Sequence, residues 1–185
     1  MEDDDAGRDA LRAWLAAHHF RASAFDSAER FLDEADLTVA GCIITDFRMP
    51  GLSGIDLQVE LSRRKSILPV IMVSGYADVP VAVRAMRQGA VTLLEKPYDN
   101  SELLDAIDEA LQRNANVRVQ LENTTQVKER VARLSDTQRQ VMHLLVAGQA
   151  NKSVANQLGI GLRTVERHRQ QILQTMEVDS LPELA

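Results

Sequence analysis

The sequence predicts a doubly wound α/β domain with a parallel sheet, followed by a smaller all-helical domain. Three observations carry this. Short apolar runs alternate with helical patterns through residues 1–112, and right-handed crossovers turn that alternation into a parallel sheet. After Leu111 the strand-like runs stop and only helical spacing follows. One strand, Ile43-Ile44-Thr45, ends on a bare carboxylate, Asp46, and turns at once through Met49-Pro50-Gly51. Open parallel sheets bind ligands beyond the carboxyl ends of their strands, so Asp46 reads either as a plain loop start or as a reactive group.

The elements follow in order. From Ala6 to His19, Leu11, Trp14, Leu15 and His18 keep helical spacing. Arg21 to Phe25 is a short strand candidate, and Ser27 can cap a helix through Arg30, Phe31 and Leu32. Ala40 to Thr45 is a strand. Gly54 to Arg64 is a helix carrying Ile55, Leu57, Val59 and Leu61. Val70 to Ser74 is a continuous apolar strand after Pro69, and Val79 to Gln88 a helix stopped by Gly89. Val91 to Glu95 is the next strand, and Asn100 opens a helix through Leu103, Leu104, Ile107 and Leu111. Residues 113–129 are polar, lack Gly and Pro, and read as a partly helical linker. From residue 130 to 185, Ser135-x-x-Gln138 is a capping box opening a helix through Val141, Leu144 and Leu145. Lys152 to Leu158 and Arg163 to Met176 are two further helices around Gly159-Ile160-Gly161, which together make a helix-turn-helix.

Composition narrows the class. The chain has 185 residues, 45% hydrophobic and 26% charged, which suits a soluble protein of one large or two small domains. Its apolar stretches are too short to cross a bilayer, and the acidic start MEDDD resembles no targeting peptide. The lone Cys42 excludes an internal disulfide and suits a reducing compartment, so a cytoplasmic protein is expected. Residues 1–113 hold 12 Lys/Arg against 20 Asp/Glu, a balance of −8, whereas residues 126–185 hold 8 against 6, a balance of +2. An acidic front and a weakly basic back suggest two domains with different partners.

In a parallel sheet the strand ends gather on one rim, so Glu2, Asp3 and Asp46 can converge. Grouped carboxylates repel unless they are protonated or hold a cation, and an oxygen-only set suits magnesium. Ser74 ends the next strand and Lys96 follows the last one. A hydroxyl and an ammonium there can hold the oxygens of a phosphoryl group on Asp46, since a positioned carboxylate can form an aspartyl phosphate.

The stretches IITDFRMPGLSGIDL, VIMVSGYADVPVAVRAMRQGAV and LLEKPY resemble the receiver domain of bacterial response regulators, the FixJ subgroup above all. The resemblance covers residues 2–112 and implies a strand order of 2-1-3-4-5. It also implies Asp46 as phosphoacceptor, with magnesium on Glu2, Asp3, Asp46 and the backbone carbonyl of Arg48. Ser74 becomes the switch hydroxyl, Lys96 the phosphate-pairing cation, and the Lys96–Pro97 bond cis, which an X–Pro bond reaches cheaply. Two departures stand out. The switch aromatic position holds Leu93, which has neither ring nor hydroxyl with which to report on Ser74. The first strand is largely missing, because Met1 stands where that strand should finish, and the expected explanation is a start site assigned a few residues late. Dehalogenase-type phosphatases also phosphorylate a strand-end Asp, but they need a second Asp where this chain has Arg48, so an enzyme of that kind is excluded.

Residues 130–185 resemble the LuxR/FixJ class of DNA-binding domain through Leu134-Ser135, Asn151-Lys152-Ser153-Val154-Ala155, Leu158-Gly159-Ile160 and Arg163-Thr164-Val165-Glu166. Helical spacing sends Val165, Ile172 and Met176 inward and leaves Glu166, Arg167, Gln170, Gln171 and Gln174 outward. Arg and Gln can read base edges in a major groove, while Lys152, Arg163 and Thr164 are placed to hold phosphates. Ser180 caps a short fourth helix that relatives extend and use in dimer contacts. The expectation is a phosphorylation-dependent transcriptional regulator, not an enzyme, served by a sensor histidine kinase. It binds promoter DNA and no membrane, and it dimerises when phosphorylated through the Val79–Gln88 helix and the strand after it. The competing expectation is a phosphorylation-independent DNA-binding protein whose receiver is a relic used as an interaction module.

Overall fold

A computed structural model of the chain describes residues 1–75 and 79–184. Tyr76, Ala77 and Asp78 of the Gly75–Pro80 motif, and Ala185 of the helix-turn-helix range, lie outside the described residues. The chain forms two compact units, Met1–Val119 and Gln120–Ala185.

In the first unit the order is α1 (Asp5–Ala17), α2 (Ala28–Glu34), β1 (Ile43–Asp46), α3 (Gly54–Arg63), β2 (Val70–Ser74), α4 (Val79–Arg87), β3 (Thr92–Glu95) and α5 (Asn100–Ala132). The sheet is parallel, ordered β1-β2-β3, with Ile43 opposite Val70 and Ser74 opposite Glu95. Every residue of β2 is buried, because helices cover both faces of a parallel sheet. Ile71 turns to one side with Leu15, Leu103, Ile107 and Ala110 of α1 and α5. Its neighbours Val70 and Met72 turn to the other, with Phe31, Ile55, Leu57 and Leu61 of α2 and α3.

Arg21–Phe25 forms no strand. A strand needs a hydrogen-bonded neighbour, and among the described residues the one paired to the outer edge of β1 is Met1. Met1 makes the two bonds of a parallel ladder: its ammonium donates to the Ile44 carbonyl, and its carbonyl accepts from Asp46 N–H at 2.9 Å. Glu2 N–H reaches only the Phe25 carbonyl, at 3.5 Å. Between the β1 edge and this segment lies a cavity of about 550 Å³, lined by Leu15, Phe20, Phe25, Ile43, Ile44 and Ile107 among others.

The linker range also differs from expectation. The helix begun at Asn100 runs unbroken for 33 residues to Ala132, so residues 113–129 are helical throughout. No Gly or Pro interrupts the run, and Asn114 is pinned within the first unit at 2% exposure.

The second unit contains the rest of that helix with α6 (Asp136–Val146), α7 (Asn151–Leu158), α8 (Leu162–Met176) and α9 (Leu181–Leu184). Its core joins Leu134, Val141, Leu145, Val154, Val165 and Ile172. The Ser135–Gln138 capping box is formed in both directions. Gly159 closes α7 in the left-handed region at φ 66°, a conformation open to glycine at little penalty. Among the described residues no helix is long and apolar enough to cross a membrane.

Candidate functional site

Asp46 sits at the carboxyl end of β1, held there by two backbone bonds: its own N–H to Met1, and Phe47 N–H to the Val73 carbonyl at 2.7 Å. The residue is 8% exposed, and its carboxylate accepts from Arg48 N–H at 2.9 Å, which folds the following loop around it. The chain must then pass close by. A side chain at Gly54 would bring its Cβ to 2.7 Å from the Asp46 carbonyl oxygen, so the first residue of α3 has to be glycine for the loop to close. Glu29 of α2 accepts from Leu52 N–H at 2.8 Å and steadies the same loop from outside.

Three carboxylates meet here. Glu2, Asp3 and Asp46 each offer an oxygen, and those oxygens lie within 4.8 Å of one another. Glu2 and Asp46 are buried and Asp3 is exposed, so the cluster is open to solvent on one side. An oxygen-only set of this charge fits a hard divalent cation that keeps part of its water shell. Lys96 lies against the same cluster: its ammonium donates to Glu2 at 2.5 Å and to Asp46 at 2.8 Å. Burial alone would push the Lys96 ammonium down, but its hydrogen bonds to Asp46 and Glu2, with their charges, outweigh it and hold the group above its ordinary 10.5. Burial likewise pushes the neighbouring Tyr98 phenol up.

Ser74 is 1% exposed at the end of β2, and its carbonyl accepts from Lys96 N–H at 2.8 Å. The Lys96–Pro97 bond is cis. Leu93, opposite Met72 in the ladder, is half-buried and packs into the core shared with α2 and α3. Thus Glu2, Asp3, Asp46, Ser74 and Lys96 all come to the carboxyl rim of one sheet. Gly54 and Glu29 escaped the sequence reading, because their parts depend on contacts between elements.

The second unit places its predicted residues on one helix and its approach. Val165 and Ile172 are fully buried and Met176 is 6% exposed. Lys152, Arg163, Glu166, Arg167, Gln170 and Gln171 are exposed, and Thr164 is half-buried. Gln171 is not free on that face: its carbonyl oxygen accepts from the Gln138 amide at 3.1 Å, which ties α8 to the start of α6. At the far end of α8, Arg130 donates to the Met176 carbonyl at 3.0 Å and pairs with Glu177. His168 is half-buried, with Nδ1 enclosed and lacking a hydrogen-bond partner.

Comparison with known proteins gives two family matches: the response regulator receiver domain over residues 1–108, and the luxR family of bacterial regulatory proteins over residues 132–185. The transcriptional regulatory protein FixJ of Azorhizobium caulinodans is 42% identical over 184 residues, spanning all of this chain and 87% of that protein. The response regulator protein TodT of Pseudomonas putida F1 is 35% identical, spanning all of this chain and 81% of its own length. Among solved structures, the response regulator StyR superposes with a TM-score of 0.87 at 38% identity, covering 100% of this chain and 93% of that one. Full-length FixJ from B. japonicum gives 0.61, also at 38% identity, covering 99% and 90%. These likenesses lend no support to the relic-receiver reading. A receiver joined to a luxR-type domain implies a histidine kinase as partner and promoter DNA as target. With both family patterns present in order, the chain belongs to the two-component response regulators, as a transcriptional regulator of the FixJ kind.

Proposed function

We propose that Asp46 is the phosphoacceptor of this regulator. An Asp46 oxygen attacks the phosphorus of a phosphohistidine; the new P–O bond forms as the P–N bond breaks, and the departing imidazole keeps the electron pair and takes up a proton. The observation that carries this reading is the convergence of Glu2, Asp3, Asp46 and Lys96 on one rim. Glu2, Asp3, Asp46 and the Arg48 carbonyl would hold magnesium, which when bound neutralises charge on the transferring phosphoryl group. Lys96, already within hydrogen-bonding distance of Asp46, pairs with a phosphoryl oxygen once one is present. Ser74 supplies the hydroxyl on the adjacent strand end. Leu93 packs without reporting, so in this chain the switch works through Ser74 and Lys96.

In the second unit, Arg167, Gln170 and Glu166 face the major groove, with Arg167 suited to guanine and Gln170 to adenine. Gln171 is held by Gln138 through its oxygen and offers its amide hydrogens. Lys152, Arg163 and Thr164 grip phosphates and set the register. Phosphorylation drives homodimerisation through α4 and β3. The functional domains run 1–112 and 130–185, joined by 113–129, a stretch that is helical and whose first residues pack on the receiver.

The test is labelling by a small acyl phosphate with and without magnesium. The wild-type chain is expected to take one label that depends on magnesium, and Asp46→Asn to take none. Equal labelling of the two proteins would sink the assignment.

A further inference from the structure

Asn114 lies on the part of α5 that the sequence reads as linker, yet it is among the most buried polar residues of the first unit, at 2% exposure. It continues the stripe Leu103, Ile107, Ala110 that α5 turns toward the sheet, at the alternating three- and four-residue spacing of one helix face. Both ends of its amide are used. The oxygen accepts from Gly41 N–H at 3.2 Å, and the nitrogen donates to the Ile67 carbonyl at 3.0 Å. One partner is a donor and the other an acceptor, so the amide has a single satisfactory orientation. One turn further on, Arg118 donates to the Thr38 carbonyl at 2.7 Å.

The partners' places in the chain give this contact its meaning. Gly41 enters β1, which ends on Asp46, and Ile67 enters β2, which ends on Ser74. β1 and β2 are bonded to each other in register along their length. A shift at their carboxyl ends is therefore carried to their entry loops as the motion of one paired unit. Those loops are fastened to the helix that leaves the receiver for the DNA-binding domain. An apolar residue at position 114 would pack there but leave a buried donor and a buried acceptor unpaired, which is strongly disfavoured. Leu93 supplies no aromatic ring as an alternative relay.

We infer that Asn114 is a positioning residue, supported by Arg118, that couples the phosphorylation state of Asp46 to the outgoing helix by binding the entry loops of β1 and β2. This rests on Asp46 being the phosphoacceptor. The test uses the full chain, Asn114→Ala and Arg118→Ala, each treated with acetyl phosphate and magnesium. It reads three quantities: label on Asp46, amide exchange over residues 111–121, and affinity for a duplex enriched from a randomised pool by the treated wild-type chain. All three proteins are expected to take label equally, with faster exchange over 111–121 in the variants. The affinity gained on phosphorylation is expected to fall by about tenfold in Asn114→Ala, within the usual range of coupling between sites, and by less in Arg118→Ala. Variants that keep the wild-type gain, or a labelled wild-type chain with no gain, overturn the inference alone. A wild-type chain that takes no label overturns both the inference and the phosphoacceptor assignment. If Asn114→Ala loses its folded circular dichroism, Arg118→Ala, at the surface, decides the matter by the same readings.

Discussion

Lys96 touches two carboxylates at once, and its behaviour follows from that. A base held above its ordinary value stabilises the folded chain below that value, and the contribution is lost as pH rises past the folded one. Lys96→Met removes the contribution at every pH. The difference in thermal stability between wild type and Lys96→Met is therefore expected to be widest below pH 10.5 and to close above it. A difference that stays constant through the alkaline range would mean that the ammonium adds nothing beyond packing. At this scale the sequence was informative for charged groups, because a carboxylate ending an apolar strand is a local signal. Gly54 was not legible, since its need arises from the Asp46 carbonyl at 2.7 Å, a contact made only when the loop closes.

Among the elements, the capping box before α6 is the clearest case of local sequence deciding structure. Ser135 accepts from Gln138 N–H at 3.2 Å, and Gln138 accepts from Ser135 N–H at 2.8 Å. Ser135→Ala is expected to lower the stability of the second unit by about 1 kcal/mol, read by urea unfolding of the full chain. No change would show that α6 is held by tertiary packing alone. One element escaped the sequence, and another was read only in part, for opposite reasons. Arg21–Phe25 has strand-like residues, but strand pairing depends on a neighbour that pattern cannot supply. The linker, read as partly helical, has little amphipathic order, with Val117, Leu121 and Val127 exposed, so its spacing does not tell that the helix runs its full length. It is helical because no residue stops the run from Asn100 and Asn114 fastens its start.

Over the whole molecule, charge is unevenly divided: −8 over residues 1–113, which hold the acidic cluster, and +2 over 126–185, the DNA-binding domain. So small an excess means that DNA affinity depends on a few placed cations more than on a general basic field. Lys152→Ala is expected to weaken binding to all sequences alike and to reduce the salt slope by about 1. Gln170→Ala is expected to change the preferred sequence and leave the slope alone. Salt titrations on two unrelated duplexes separate these outcomes, and a Lys152→Ala chain with an unchanged slope would remove that residue from the interface. The two-domain plan was legible from the alternation of strand and helix patterns and its end near Leu111. What patterning could not give is how α5 is tied to the entry loops of β1 and β2, because that rests on the buried Asn114 amide and on Arg118.

The proposed signalling begins at one carboxylate, that of Asp46. Borohydride reduction of the acyl-phosphate-treated chain converts a phosphorylated aspartate to homoserine, which peptide mass mapping places by residue. Homoserine at position 46, dependent on magnesium and absent from Asp46→Asn, is the predicted result. Conversion at Glu2, Asp3 or another carboxylate with Asp46 untouched would contradict it.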